Sequence, residues 1–377
     1  MNFEKITEYL DSIVNKYGVP SVDCIIYKDH EQVFRHYTGT TDDLKTKPIV
    51  GNEQYLMYSM TKVITMTALM QLVEQGKLSL DDEVSSYLPA YKDIVIKDAD
   101  GEHKSTVPLR VWHLASMQSG LDYELDRPGI TEVIKKRGQA ATTREIVDAF
   151  PMTPFDFEPG THFQYSLSHD VAAAVIEVAS GMRFGEYLQK NIFEPLGMTK
   201  TFFAKPQNSD VENLASQFVY NEDDRSILLM DKSCDYQLTE AYESGGAGLC
   251  SNTADYAKLA DTLACGGVSK DGIRILKPET IETMKKDLLG ETAHKELENN
   301  MGRYGYDYGC GVAIFARPYE VKSPATPGVF GWDGAAGSMI TMDTVNKISV
   351  VFTMHVRGFG PVYSIIHPHL RDLVFEA

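Results

Sequence analysis

Apolar residues recur along this chain with two different periods, and the changes of period mark its elements. Over residues 1–18, Phe3, Ile6, Leu10, Ile13 and Val14 fall on one face at helical spacing, and Gly18 and Pro20 end the run. Residues 22–27 and 32–37 are short β-rich runs separated by Lys28-Asp29-His30-Glu31, which predicts a hairpin. Helical spacing returns over 60–75, where Gly76 ends the run and Leu78-Ser79-Leu80-Asp81-Asp82-Glu83 opens a further capped turn. It continues over 111–117, 143–150, 169–179 and 184–192, with Gly, Pro and Asp in the loops between. Strand signal reappears at 309–316, 338–342 and 347–354, the last two joined by Asp343-Thr344-Val345-Asn346, before a closing helical stretch at 362–376. Residues 205–240 are polar and weakly periodic, which predicts a long loop region bordering a functional site.

Strands near both termini around a helical middle imply one sheet built from the two chain ends, with the helical part inserted between them. The predicted fold class is therefore α+β, an antiparallel sheet flanked by helices. A single domain is expected over 1–377. Its sheet-containing part would cover about 1–57 and 245–377, and a mainly helical subdomain about 58–244.

Composition narrows the class. Hydrophobic residues at 43% and charged residues at 24% are ordinary globular usage, enough for a sizeable core in a chain of 377 residues. The formal charge of -17 repels phosphate backbones and anionic headgroups, so neither nucleic acid nor a membrane surface is an expected partner. Cys24, Cys234, Cys250, Cys265 and Cys310 are odd in number and scattered, and read as reduced thiols. Acidic residues interrupt any signal-like apolar run at the amino terminus, and no apolar run is long enough to span a bilayer, so a cytoplasmic address is expected. Oligomeric state leaves no signal in the sequence.

The chemistry gathers in three segments. Tyr58-Ser59-Met60-Thr61-Lys62 stands where a loop enters the helix over 60–75. Ser59 and Lys62 are three apart, so they share a helix face and their side chains can meet. A serine at a helix amino terminus lies beside unpaired N–H groups and the positive end of the dipole, which favours a developing oxyanion. Burial would depress the Lys62 amine toward the neutral form that accepts a serine proton. Read alone, the same pattern also describes an N-cap serine followed by a surface lysine.

Phe163-Gln164-Tyr165-Ser166-Leu167 follows a Glu158-Pro159-Gly160 turn and precedes the helix over 169–179. Tyr165 is a candidate proton acceptor from Ser59 or donor to a leaving group, its hydroxyl expected to meet Lys62 and to be drawn toward phenolate by the ammonium. By itself it would be an ordinary half-buried aromatic. Phe330-Gly331-Trp332-Asp333-Gly334-Ala335-Ala336-Gly337-Ser338 is glycine-dense and is read as lying immediately before a strand. Its backbone can approach a ligand closely, so the Ala335 N–H is expected to complete an oxyanion hole with that of Ser59. In isolation such a stretch is equally a tight turn into an edge strand. His113, His162, His169 and His355 lack the Gly-x-Ser-x-Gly elbow of a serine–histidine triad and read as structural. His367-Pro368-His369 has no further ligands at metal spacing, so neither a metal nor a cofactor is expected.

In this order and spacing the three segments resemble the serine β-lactamase and penicillin-binding-protein family, particularly class C β-lactamases and the family VIII carboxylesterases. Further landmarks extend the likeness over nearly the whole chain: Val107-Pro108-Leu109-Arg110-Val111-Trp112-His113-Leu114, with Ser119-Gly120-Leu121 after it, Asn191-Ile192-Phe193-Glu194-Pro195-Leu196-Gly197-Met198, and Gly245-Gly246-Ala247-Gly248-Leu249-Cys250-Ser251. The resemblance implies a β-lactamase/transpeptidase-like fold whose cleft holds Ser59 as nucleophile, Lys62 and Tyr165 as proton carriers, and the N–H groups of Ser59 and Ala335 as oxyanion donors. It also implies that Trp332, Asp333, Gly334, Leu167 and Tyr123 contact substrate.

Two departures bear on the substrate. Leu167 replaces the amide-bearing third residue of the class C Tyr-x-Asn motif, and Trp332-Asp333-Gly334 replaces a Lys-Thr-Gly, exchanging a cation suited to a substrate carboxylate for the negative charge of Asp333. With that cation gone the Tyr165 hydroxyl rises in pKa and the base role moves toward Lys62. A tryptophan here is shared with the family VIII esterases and suits neutral acyl groups. The expected activity is thus a serine hydrolase forming an acyl-enzyme on Ser59, foremost a carboxylesterase on small neutral acyl esters. The alternatives are a β-lactamase or D-alanyl peptidase, a slowly acylating penicillin-binding or sensor protein, and an acyltransferase.

Overall fold

The computed structural model describes residues 3–42, 44–99 and 101–377. Met1 and Asn2, counted in the expected first helix, lie outside the described residues; the helix spans Glu4–Tyr17 and buries Ile6, Leu10 and Ile13, the face that the spacing predicts. After it come β1 (Ser21–Lys28) and β2 (Glu31–Gly39), an antiparallel hairpin. Its turn places Asp29 and His30 at φ 48° and 68° without a glycine. Lys347 Nζ holds Asp29 at 2.7 Å, and the His30 N–H donates to Asp261 Oδ1 at 3.2 Å.

The remaining strands of the main sheet come from the other end of the chain: β3 (Tyr306–Tyr308), β4 (Ala313–Phe315), β5 (Val329–Asp333), β6 (Met339–Asp343) and β7 (Ile348–Thr353). The order across the sheet is β3-β4-β5-β6-β7-β1-β2, with every neighbouring pair antiparallel. Asp23 pairs with Thr353 and Trp332 with Ile340, so the two chain ends share one sheet, as the pattern predicts.

Both faces of this sheet are covered. Ile6, Leu10 and Ile13 of the first helix and Leu370 and Val374 of the last helix, His367–Glu376, pack with Cys24, Ile26, Val350 and Phe352. Ile25, Val351 and Ile340 point the other way, into the core that contains the helices Thr61–Glu74 and Thr253–Ala264. A sheet covered on two sides buries both faces of its strands, which is why all six residues of β7 are buried, Ser349 and Thr353 included.

Several elements were not legible in the pattern. Helices Pro128–Arg137, Thr253–Ala264, Pro278–Met284 and Glu291–Met301 were not anticipated, and three of them fall in the part expected to contain the sheet. The expected loop over 205–240 carries two short strands, Phe218–Tyr220 and Ile227–Leu229. The stretch 330–338 does lead directly into a strand, β6, but its first part, through Asp333, is itself the end of β5, and the turn follows it. All five cysteines are free, four of them buried and Cys265 half-buried. Among the described residues no helix is long and apolar enough to cross a membrane.

Candidate active site

Ser59 lies in a single 3-10 turn, Tyr58–Met60, that runs directly into the helix Thr61–Glu74. Tyr58 has φ 46°, a left-handed conformation that costs a non-glycine residue on the order of 1 kcal/mol or more. Its surroundings hold it there. The phenol donates to Gln217 Oε1, the Arg357 guanidinium lies 5.4 Å from the ring centroid, and Tyr236 meets the ring edge-on at 5.8 Å. The helix that follows has 12 of its 14 residues buried, so it offers no solvated face to a lysine. Lys62 is carried into the core with 0% exposure, whereas Ser59 keeps 8% at the edge of a cleft.

Lys62 Nζ has three hydrogen-bond acceptors: Ser59 Oγ at 3.2 Å, Tyr123 Oη at 3.0 Å and Gly246 O at 2.7 Å. Burial lowers its pKa to about 7, against an opposing pull from the Asp170 carboxylate. The amine is therefore poised between its two forms at neutral pH. Tyr165 is placed differently from the expectation. Lys62 Nζ stands 4.5 Å from the centre of the Tyr165 ring, and the phenol that it hydrogen-bonds is that of Tyr123. The Tyr165 hydroxyl instead accepts the Trp332 indole N–H at 2.9 Å and hydrogen-bonds Ser59. Desolvation raises the Tyr165 phenol strongly and those two hydrogen bonds only moderate the rise, so Tyr165 stays neutral.

Beyond β5 the chain turns through Gly334 to Gly337, with the Gly337 N–H donating to Gly334 O at 2.9 Å and the Gly334 N–H to Ser338 O at 2.8 Å. The Ala335 N–H is left out of this pairing. Gly334 is required by proximity: a Cβ there would lie 2.5 Å from Met57 O, the backbone leading into the Ser59 turn. Ser59 and Ala335 thereby line one cleft of about 210 Å³, walled also by Tyr165, Met301, Trp332 and Tyr363.

The expected substrate contacts separate into three groups. Trp332, Asp333 and Gly334 line the cleft. Tyr123 lies behind its wall, against Lys62 and 5.6 Å from the Tyr165 ring. Leu167 is 2% exposed within the main core and does not line the cleft, because the chain at this point turns into the apolar helix Ser168–Ser180. Nor is Asp333 an open negative charge. Its carboxylate is paired with Arg303, and His367 Nδ1 lies 3.5 Å away. Burial alone would raise this carboxyl, but Arg303 and His367 hold it well below the usual range.

Arg303 and Asp170 were not singled out in the sequence. Arg303 follows the helix Glu291–Met301, lines the cleft and stacks 5.1 Å from the Trp332 ring, so a cation does stand here, neutralised by Asp333. Asp170 is buried five residues beyond Tyr165, and an acid in the first turn of a helix ordinarily reads as a dipole partner. The four histidines named above lie outside the cleft lining, and burial lowers His113 and His169 to about 3 and His355 to about 4. His367 Nε2 is bonded to Gly337 O at 2.9 Å, and His369 meets the Tyr9 ring edge-on at 4.5 Å, away from any shared ligand position. His30, Asp261 and Cys265 do come together, through hydrogen bonds to Asp261 and remote from the cleft.

Known proteins resemble this chain in sequence and fold. The family model described as Beta-lactamase matches residues 5–373. A putative D-alanyl-D-alanine carboxypeptidase of Salmonella enteritidis is 25% identical over 383 residues, covering 95% of this chain and 83% of the relative. The structure of EstCE1, a hydrolase with promiscuous acyltransferase activity, superposes with a TM-score of 0.80 at 26% identity, covering 99% of this chain and 98% of EstCE1. The fold also matches that of simvastatin synthase LovD from Aspergillus terreus, with a TM-score of 0.78 at 19% identity over 100% of this chain and 98% of that one. The α+β architecture, the sheet built from both chain ends and the matched span of residues lead to one assignment: this chain belongs to the beta-lactamase family and has its β-lactamase/transpeptidase-like fold.

Proposed function

We propose that the protein is a serine hydrolase that forms an acyl-enzyme on Ser59 and acts foremost as a carboxylesterase on small neutral acyl groups. The observation that carries this reading is the buried Lys62 amine, poised near neutrality, 3.2 Å from Ser59 Oγ. Neutral Lys62 takes the Ser59 proton as Oγ attacks the carbonyl carbon, and the carbonyl oxygen becomes an anion held by the Ser59 and Ala335 N–H groups. Collapse breaks the bond to the leaving alkoxide, which takes a proton from the Tyr165 hydroxyl. Lys62 ammonium restores that proton through a water molecule. Water then attacks the acyl carbon by the same route in reverse, releasing the acid and freeing Ser59.

The substrate class follows from the cleft wall. Trp332, Met301 and Tyr363 are apolar surfaces, and the one cation in the lining, Arg303, is already paired with Asp333. A free substrate carboxylate therefore finds no unpaired positive partner there, which disfavours penicillins and peptides ending in a carboxylate against neutral esters. Acyl transfer to an alcohol or amine is the second reading, supported by the likeness to EstCE1, whose own description includes that activity. The deciding test compares wild type with Ser59→Ala on p-nitrophenyl esters of graded chain length, nitrocefin and a D-Ala-D-Ala peptide. Short esters should give the highest kcat/KM, with turnover lost in the variant. Nitrocefin or peptide turnover exceeding that of the esters would reverse the assignment.

A further inference from the structure

Lys62 points away from solvent, and a carboxyl group stands behind it. Asp170 is 1% exposed and belongs to the helix Ser168–Ser180. Its Oδ1 accepts two hydroxyl protons, from Tyr242 at 2.8 Å and Ser244 at 2.6 Å. Burial pushes the Asp170 carboxyl up, while the Ser244 and Tyr242 hydroxyls, the Lys62 ammonium and the Gly246 N–H each pull it back toward the ionised form. Oδ2 faces the backbone of Gly246, whose carbonyl accepts the Lys62 ammonium proton at 2.7 Å.

The glycine is the spacer between the two charges. A Cβ on Gly246 would lie 2.6 Å from Asp170 Oδ2 and 3.4 Å from Lys62 Nζ, so only a bare backbone fits between them. That places the pair inside the roughly 6 Å over which an opposite charge favours the ionised form. The same segment is anchored from the other side, where Thr65 Oγ1 donates to Gly245 O at 2.6 Å.

We propose that Asp170 is a positioning residue that acts through Gly246: it is the buried counter-charge of Lys62 and sets the pH at which Ser59 is activated. This rests on the reading of Lys62 as the base for Ser59. The other titratable groups around the pair carry no charge at neutral pH. Tyr91, Tyr123, Tyr165 and Tyr242 are all raised by burial, and His169 is lowered to about 3. Asp170 thus faces Lys62 without a competing charge among these groups, and burial of Lys62 opposes its pull. Without the carboxylate, Lys62 would lose its proton at a lower pH, and the neutral base would be available in more acidic solution.

The test is the pH profile of kcat/KM for p-nitrophenyl butyrate, with the rate of Ser59 labelling by a fluorophosphonate as a second readout of the same limb. In Asp170→Asn the acidic limb should move down by about one pH unit while KM changes less than kcat. Ser244→Ala, which removes one donor from the carboxylate along with the acceptor of the Ala247 N–H, should move the limb in the same direction by less. This variant decides the matter should Asp170→Asn fail to fold. A limb that stays in place in the folded variants overturns the proposal while leaving Lys62 as base. A wild-type profile with no limb near neutrality would instead remove Lys62 from the base role, and this proposal with it.

Discussion

At the scale of single residues, the chemistry depends on an amine kept where it is uncomfortable. Burial holds Lys62 near pH 7, against about 10.4 for a free lysine, so an unfolded chain binds a proton that the folded chain does not across that interval. Two outcomes follow. The kcat/KM for a neutral ester should rise with pH and reach half its plateau near pH 7, where Lys62 becomes the neutral acceptor. Stability should also rise between about pH 7 and pH 10, because raising the pH removes the unfolded state's extra proton. Lys62→Met should lower activity about 10³-fold and abolish the pH dependence of the denaturant midpoint between about pH 7 and pH 10. A variant that keeps this pH dependence would contradict the burial argument. Ser59, Lys62 and Tyr165 were legible because their meaning lies in local spacing and motif order. Asp170 and Arg303 were not, since each acquires its role from a partner far along the chain: Tyr242 and Ser244 for the first, Asp333 for the second.

Elements bring these residues together by being buried on every side. The helix Thr61–Glu74 is buried around its whole circumference from Thr61 to Leu72, and this rules out the surface-lysine reading that the four-residue pattern alone allows. Helices Pro278–Met284 and Glu291–Met301 escaped the periodicity because they bury only Ile281 and Met284 in the one and Ala293 and Leu297 in the other. β5 escaped because five residues that include Gly331 and Asp333 are poor strand formers in isolation; pairing with β4 and β6 makes it a strand. The junction between β5 and the Ser59 turn is the element-scale claim open to test. Gly334→Ala should push the turn away from Met57 O and displace the Ala335 N–H, lowering kcat for esters about 10²-fold with a smaller change in KM. Unchanged kcat in a folded Gly334→Ala protein would place the oxyanion donor elsewhere.

For the whole molecule, the pattern of apolar runs foretold a sheet assembled from both chain ends. The order β3-β4-β5-β6-β7-β1-β2 was beyond it, because strand order depends on which edges meet once the helices have packed. That order matters to function. It carries β5 to a position where its carboxyl end abuts the Ser59 turn, so Ser59, Lys62 and Ala335, the proposed nucleophile, base and second oxyanion donor, come from segments more than 250 residues apart in sequence, between Ser59 and Ala335. Everything proposed for the protein passes through one covalent species, and trapping it is the most direct measurement. Rapid acid quench of the enzyme turning over p-nitrophenyl butyrate, followed by peptide mass spectrometry, should find a single butyryl group on the peptide containing Ser59, and none in Ser59→Ala. Butyryl on another residue, or sustained turnover by Ser59→Ala with no acylated peptide, would contradict the account.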